Sequence, residues 1–380
     1  VILPDATLGV LGGGQLGRMF TVAARTLGYR VWVLDPDPDS PAGALADTHL
    51  EAGYTDHGAL KRLADGCAAV TTEFENVPAE ALEFLEQRLP VRPGSAAVAI
   101  ARDRISEKTY LREQGLATAP FFAIHNTDDI ERACARLSPP ALLKTARFGY
   151  DGKGQVSVHS LEEALQGFQT LNGVPCVLEE RVTLKQELSV VLARGVDGES
   201  VFYPVVENVH RHGILHTSRV PAAVPAAVSG HAIEMAGRLA DALDYRGVLA
   251  VEFFLTEDNA LLINEMAPRP HNSGHFTLDA CATSQFEQQV RALCGLPLGD
   301  TRLLSPVVML NLLGDLWRDS EPPAWRDVFA CTGARLHLYG KKTARAGRKM
   351  GHINCLAADI GQASVNADTL FLKLAGQSDK

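Results

Sequence analysis

Two β segments joined by a short turn carry the acids best suited to bind a metal. Residues 248–255 (VLAVEFFL) and 260–265 (ALLINE) flank the turn 256–259. Side chains alternate faces along a strand, so Glu252 shares its face with Val248, Ala250 and Phe254; a carboxylate in an apolar row needs a compensating partner. Folding the pair about residue 258 brings Glu252 within about one residue of Asn264 and Glu265. Two carboxylates and an amide oxygen suit a hard cation such as Mg2+, which takes one or two carboxylates beside nucleotide phosphates. A protonated or arginine-paired acid is the competing reading. Directly downstream lies Pro268-Arg-Pro-His-Asn-Ser-Gly-His275. His271 and His275 are four apart, but Pro270 and Gly274 oppose a regular helix and no HExxH occurs, which argues against zinc. A cationic Arg269 and a proton-bearing His271 beside a metal suit an anionic intermediate instead.

A second group of residues suits phosphates. Residues 141–144 and 156–158 read as strands around a loop with Gly149, Gly152 and Gly154. It is not a Walker A loop, because Gln155 follows Gly154. Its amides can wrap phosphates as a flap, with Lys144 adding a point charge; a long hairpin is the alternative. The apolar run 176–178 ends in Glu179 and Glu180, and Glu187 opens the next strand. A backbone edge beside acids fits an adenine and its ribose, although acids at strand ends usually face water. Near the N-terminus, Gly12, Gly14 and Gly17 satisfy G-x-G-x-x-G after a strand and before a helix, with Asp35 beyond. Alone this suggests a dinucleotide, yet a helix N-terminus accepts any phosphate. Glu73, at the end of another apolar run, can accept from sugar hydroxyls or merely start a solvated helix. Residues 341–349 hold five cations in nine positions. They read as a pocket for one phosphate or as a solvated face; a nucleic-acid surface would want more charge and interleaved aromatics.

The elements that must position these groups follow from the wider pattern. With 380 residues, 46% hydrophobic and 21% charged, the chain reads as an ordinary folded protein of two or three domains. A net charge of −9 disfavours broad binding to nucleic acid or anionic membrane. Seven cysteines without a CxxC pair, no membrane-length apolar run and no signal pattern predict a cytoplasmic protein. Residues 7–95 alternate strand and helix: a strand at 7–11, a helix at 15–27, a strand at 29–34, and further parallel strands at 68–70 and around Val91. From residue 102 to about 300 longer β segments alternate with helices such as 105–114 and 229–243, an α+β pattern. The last part carries β segments at 307–310 and 335–339.

Taken together and in order, the motifs Gly12-Gly-Gly-Gln-Leu-Gly-Arg-Met19, Glu73-Phe-Glu-Asn-Val-Pro78, Lys144 with Gly149-Tyr-Asp-Gly-Lys-Gly-Gln155, Asn264-Glu265, 268–275 and Ala346-Gly-Arg-Lys-Met-Gly-His352 resemble the ATP-grasp superfamily. Within it they resemble the 5-(carboxyamino)imidazole ribonucleotide synthases of purine biosynthesis, over almost the whole chain. The resemblance implies an α/β and α+β architecture. A Rossmann-like pre-ATP-grasp domain would occupy residues 1–100, and an ATP-grasp domain with a mobile flap around 141–182 would occupy 101–298. A small β-rich C-terminal domain at 299–380 would complete the nucleotide phosphate site. The implied reaction uses ATP, Mg2+ (two ions) and bicarbonate to carboxylate 5-aminoimidazole ribonucleotide through carboxyphosphate.

The same resemblance assigns residues. Arg104, Lys144, Glu179, Glu180, Arg181, Val182, Glu187, His210, Asn264 and Glu265 would line the ATP site. The flap Gly149, Tyr150, Asp151, Gly152, Lys153, Gly154 and Gln155 would close over the phosphates and exclude water. Glu252 and Glu265 would hold Mg2+. Arg269 and His271 would hold carboxyphosphate, and with Lys144 and Asp151 form the catalytic set; Tyr150 and Asp151 would place the amine. Glu73 is expected at the ribose, and Lys341 and Arg348 at the ribonucleotide phosphate with the amides of Gln15 and Leu16. His271 and Asn272 also belong to the substrate set. The N-terminal loop then faces substrate rather than a dinucleotide. A homodimer acting on small molecules, with no nucleic-acid or membrane partner, is expected. The alternatives are another ATP-grasp ligase, such as a formate-dependent glycinamide ribonucleotide transformylase, a nicotinamide oxidoreductase built on Gly12–Gly17 and Asp35, and a non-catalytic binder using the basic turn.

Overall fold

The computed structural model describes residues 1–149, 152–318 and 321–376. The predicted βα alternation at the N-terminus forms a four-stranded parallel sheet. Its order is Thr48–Leu50, Arg30–Leu34, Thr7–Leu11, Ala69–Thr72. The central strands Arg30–Leu34 and Thr7–Leu11 are largely apolar on both faces because both faces are covered. Helix Gln15–Thr26 packs on one face together with Gln285–Cys294, a helix that returns from far along the chain. Helices His57–Gly66 and Ala79–Glu86 pack on the other. Gln289 fixes the returning helix with an Nε2 hydrogen bond of 2.9 Å to Thr71 Oγ1. The segment around Val91 is not a strand of this sheet, contrary to expectation. It makes one parallel bridge to Val70, and Pro90 and Pro93 flank it without the N–H groups a ladder requires.

The rest of the chain is antiparallel, as the α+β pattern predicts. A large sheet runs in the order Leu261–Ala267, Gly247–Thr256, Leu184–Arg194, Val206–Arg211, Ile214–Val220, Val307–Leu313, Lys349–Leu356, Ala334–Leu338. Ser200–Phe202 pairs beside Leu184–Arg194. Helix Ala226–Ala242 covers one part of this sheet and helix Ile360–Leu374 covers the C-terminal strands. The latter helix, with Asp359 accepting from the Gln362 amide, and the strand Lys349–Leu356 went unread in the sequence. That strand mixes His352 and Asn354 with apolar residues yet is almost wholly buried, so no apolar run marks it.

A third, four-stranded sheet carries the glycine loop. Its order is Phe121–Ile124, Cys176–Glu180, Ala141–Thr145, Gln155–Val158. Helices Thr127–Cys134 and Leu161–Thr170 bury Ile130, Ala133, Ala164 and Phe168 against it, so the flap has a core of its own. Among the described residues no helix is long and apolar enough to cross a membrane.

Candidate active site

The three sheets converge on one cleft of about 620 Å³. Its floor is the acidic hairpin. Phe253, Phe254 and Leu255 pair with Ile263, Leu262 and Leu261, the register of a fold about residue 258; a bulge then shifts the ladder, so Glu252 lies opposite Glu265. A bulge sets two residues of one strand against one of the other, and here it turns both Asn264 and Glu265 into the cleft. Burial, then the nearby Glu265, pushes the Glu252 carboxyl up to about 7. Burial also opposes charge on Glu265, but Arg104, whose Nη1 lies 2.9 Å from Glu265 Oε2, holds it below the usual range.

The strand Leu261–Ala267 is a sheet edge, so its outward backbone groups need other partners. Helix Arg104–Glu113 supplies them from one face, at residues 104, 107 and 108. Arg104 pairs with Glu265, Glu107 Oε1 accepts from the Met266 amide at 2.6 Å, and Lys108 Nζ donates to the Asn264 carbonyl at 3.2 Å. Three consecutive residues of the bulged strand are thus fixed by one helix, whose start is capped by Asp103.

The flap root adds a buried charge triad. Lys108 Nζ and Lys144 Nζ each lie 2.6 Å from one oxygen of Glu179, which sits on the central flap strand. Two cations share one carboxylate, leaving a net positive charge where a phosphate would arrive. Arg104 Nη2 reaches the Gly149 carbonyl at 3.1 Å and so ties the loop to the floor. At the other end of the cleft His210 Nδ1 lies 2.6 Å from Glu187 Oε2. Burial disfavours the imidazolium, but this hydrogen bond and the Glu187 charge outweigh it and raise the His210 pKa.

The Pro268–His275 segment crosses beside the hairpin without forming a regular helix; residues Asn272–Gly274 make a single 3-10 turn. Arg269 is held by Glu75, Nε to Oε2 at 2.6 Å, and His271 Nε2 lies 3.2 Å from Glu252 Oε1. Burial, then Arg269, lowers the His271 pKa well below its ordinary value. The N-terminal turn faces the same cleft through Gln15, Leu16 and Glu73. Its amides are occupied from within: Gly13 donates to Asp35 Oδ2 at 2.6 Å, and Gly14 and Gly17 donate to the two oxygens of Glu73. Gly12 has φ +106°, and a Cβ there would stand 2.3 Å from Glu73 Cγ. The glycines therefore admit a carboxylate of this chain, where a dinucleotide fingerprint would need them to admit a pyrophosphate.

The donor set fits a hard cation. Two carboxylates face each other across the hairpin, and Asn264 Oδ1 is buried with no hydrogen-bond partner. These are oxygen ligands of the kind Mg2+ takes.

Comparison with known proteins identifies the domains. Family models match a ribonucleotide synthetase preATP-grasp domain at residues 5–102, an ATP-grasp domain at 109–286 and a phosphoribosylaminoimidazole carboxylase C-terminal domain at 307–365. The N5-carboxyaminoimidazole ribonucleotide synthase of Bacillus subtilis (strain 168) is 45% identical over 355 residues, covering 93% of this chain and 92% of its own length. The chain belongs to the N5-carboxyaminoimidazole ribonucleotide synthase family. The Brucella melitensis biotype 1 synthase is 46% identical over 353 residues, 92% of this chain and 96% of its own. Among solved structures, a family synthetase in complex with ADP superimposes with TM-score 0.94 at 44% identity, covering 100% of this chain and 99% of that one. The Aspergillus clavatus synthase with ADP and 5-aminoimidazole ribonucleotide gives 0.90 at 31%, covering 98% and 99%.

Most positions carried over from the family motifs meet in the cleft. Glu180, Arg181, Val182 and Glu187 line it beside Glu179, and Gly149, Gly152 and Gln155 line it from the flap. Arg269, His271 and Asn272 line it opposite. Lys153 and Gly154 do not line it, and Tyr150 and Asp151 lie outside the described residues. Lys341 and Arg348 also fall outside the lining: Lys341 Nζ donates to the Lys349 carbonyl at 2.7 Å, and Arg348 Nη1 to that of Thr343 at 2.7 Å. Lys341 is still close enough for its charge to act on Glu73. Lys349 does line the cleft, as do Glu75 and Glu107. The motif-based site set omitted these three and Lys108. Lys108 was detectable, because Arg104, Lys108 and Leu111 form one helical stripe and a charge at the middle of a buried stripe demands a partner.

Proposed function

We infer that the chain catalyses the ATP-dependent carboxylation of 5-aminoimidazole ribonucleotide to N5-carboxyaminoimidazole ribonucleotide in purine biosynthesis. The observation that carries this reading is the meeting, in one cleft, of Glu252 opposite Glu265, of Lys144 at the flap root and of Arg269 beside His271. It is supported by 45% identity to a synthase of that name. Arg104, Lys144 and the flap amides are assigned to ATP. Glu252 and Glu265, with Asn264 Oδ1 nearby, are assigned to Mg2+. Bound there, Mg2+ would supply Lewis-acid neutralisation of the charge on the transferred phosphoryl group.

In the first step a bicarbonate oxygen attacks the γ-phosphorus, the bond to the bridging oxygen breaks and ADP leaves, giving carboxyphosphate. Lys144 neutralises phosphate charge from the flap root. Arg269, fixed by Glu75, and His271 hold the new anion by preorganised donors. In the second step the exocyclic amine, placed by Tyr150 and Asp151, attacks the carboxyl carbon; phosphate departs and the nitrogen loses a proton. Closure of the flap shields carboxyphosphate from water. Glu73 at the ribose, and Lys341, Arg348 and the Gln15–Leu16 turn at the nucleotide phosphate, complete the assignment. We further propose a cytoplasmic homodimer divided near residues 100 and 298.

The test is release of ADP and phosphate from Mg-ATP, with and without 5-aminoimidazole ribonucleotide, in bicarbonate-supplemented and bicarbonate-depleted buffer. Turnover that needs both, with the carboxylated nucleotide detected, is expected. Turnover supported by formate in place of bicarbonate would refute the reading.

A further inference from the structure

Behind His271 a chain of buried polar side chains runs through the large sheet. His271 Nδ1 lies 2.9 Å from Ser273 Oγ and accepts from the Ser273 backbone N–H at 3.3 Å. Ser273 Oγ lies 2.8 Å from Ser189 Oγ, which accepts from Asn208 Nδ2 at 3.0 Å; Asn208 Oδ1 accepts from Ser218 Oγ at 2.8 Å. Ser189, Ser218 and Ser273 are fully buried and Asn208 nearly so. The register explains how they meet. Glu252, Ser189, Asn208 and Ser218 stand on four successive strands, with Glu252 paired to Ser189 and Asn208 paired to Ser218.

The direction of the chain is determined. A backbone N–H can only donate, so Nδ1 must accept, and the ring proton belongs on Nε2. Ser273 then donates to Nδ1, Ser189 to Ser273, Asn208 to Ser189 and Ser218 to Asn208. The reverse order would require Nδ1–H pointing at the Ser273 amide. The His271 backbone is clamped as well, since its N–H donates to Gln285 Oε1 at 2.9 Å and its carbonyl accepts from Gln285 Nε2 at 2.7 Å. A Cβ on Gly274 would stand 2.4 Å from Gln285 Oε1, so this clamp requires the glycine.

We propose that Ser273, Ser189, Asn208 and Ser218 are positioning residues that lock His271 in its Nε2–H tautomer and direct that proton to the cleft side, where Glu252 Oε1 lies 3.2 Å from Nε2. The proposal rests on the reading that His271 faces the carboxyphosphate anion: an imidazole offering N–H to an oxyanion must be held in one tautomer, and the partner of its other nitrogen sets which. Nothing about sheet stability alone requires the row. Alanine or valine would fill the same positions, whereas hydroxyls and an amide here must each find a partner.

The experiment is long-range 1H–15N correlation on full-length protein labelled with 15N-histidine, with His271 assigned by the signals missing from His271→Asn. Wild type is expected to show a protonated Nε2 and a bare Nδ1. Ser189→Ala is expected to show mixed tautomers and a kcat lower by about tenfold, with KM for Mg-ATP unchanged. If Ser189→Ala does not fold, Ser218→Ala at the far end of the row carries the test and is expected to mix the tautomers in the same way. A wild-type protein with Nδ1–H, or a folded variant with the wild-type tautomer and kcat, would overturn the proposal. The spectrum needs no substrate, so the expected tautomer in a protein lacking bicarbonate-dependent turnover would refute the reaction and leave the positioning row standing.

Discussion

Replacing Lys108 by Met should weaken ATP binding even though Lys108 is too deeply buried to meet the nucleotide. Glu179 has 2% of its side chain exposed and is shared by Lys108, at 0%, and Lys144, at 10%. When Lys144 turns toward a phosphate, Lys108 remains to neutralise Glu179. In Lys108→Met that movement would leave a buried carboxylate without a cation, and breaking a buried pair by removing one partner costs about 3 kcal/mol. Held against ATP binding, about 3 kcal/mol is roughly a hundredfold in Kd. Titration calorimetry of Mg-ATP into wild type, Lys108→Met and the double variant Lys108→Met/Glu179→Gln measures it. The single variant should lose roughly two orders of magnitude. The double variant should recover most of that, because it has no buried charge to strand. Wild-type affinity in the single variant, or no recovery in the double, would refute the account of Lys108 as the standing partner.

Three further outcomes are expected. Glu265→Gln should fold normally, since the edge strand keeps its ties to the helix through Glu107 and Lys108, yet lose Mg-dependent turnover by about a hundredfold or more; wild-type kcat at any Mg2+ concentration would sink the metal assignment. Lys341→Ala should raise KM for the ribonucleotide by roughly tenfold while leaving KM for ATP within about twofold, as loss of one charge-assisted contact would; equal effects on both substrates would place Lys341 elsewhere. His216 is buried against Phe371, and burial, then Arg211, pushes its pKa down to about 4. The unfolded chain binds this proton from about pH 6.5 downward and the folded chain only near 4, so stability falls as pH drops through that window, by about 3 kcal/mol in all. His216→Phe should flatten that slope in urea unfolding at pH 7 and pH 4.5; an unchanged slope would assign the acid sensitivity to other groups.

The sequence conveyed chemistry better than it conveyed partners. The hairpin was legible because an acid in an apolar, period-two row is locally anomalous, and the turn set its register to within a residue. The glycine turn was legible as a tight strand-to-helix junction but not in its use. Only the tertiary pairing of Thr7–Leu11 with Ala69–Thr72 brings Glu73 beside Gly14 and Gly17. Asp35, spaced as a ribose-binding acid would be, instead accepts from Gly13 and from Tyr54 at 2.7 Å. With two carboxylates of the chain itself on that turn, a nicotinamide pyrophosphate would meet like charge there. Lys108 and Glu75 were missed for a related reason: the partners that explain them, Glu179 and Arg269, lie on other elements.

What strict alternation could not supply is which side of the large sheet the site residues occupy. Glu252, Phe254 and Leu262 share one face, so simple alternation places Asn264 with them and Glu265 on the opposite face. The bulge at Glu252/Phe253 leaves Asn264 lining the cleft and brings Glu265 to the same side as well. The shift at Val209/His210 skips His216 and lets Leu215 share the face of Ser218; the shift at Leu312/Leu313 skips Met350 and lets Lys349 share the face of His352. Glu265, Leu215 and Lys349 all line the cleft. Each bulge inserts one residue and so inverts the parity of everything beyond it, which is a change no periodicity count detects until the pairing is known. A fourth shift, at Leu255/Thr256, skips Lys185 and lets Leu184 join the face of Glu187, so the cleft is built from an ordinary antiparallel sheet by four one-residue slips, each delivering one additional side chain to the side where Glu252 and His271 meet.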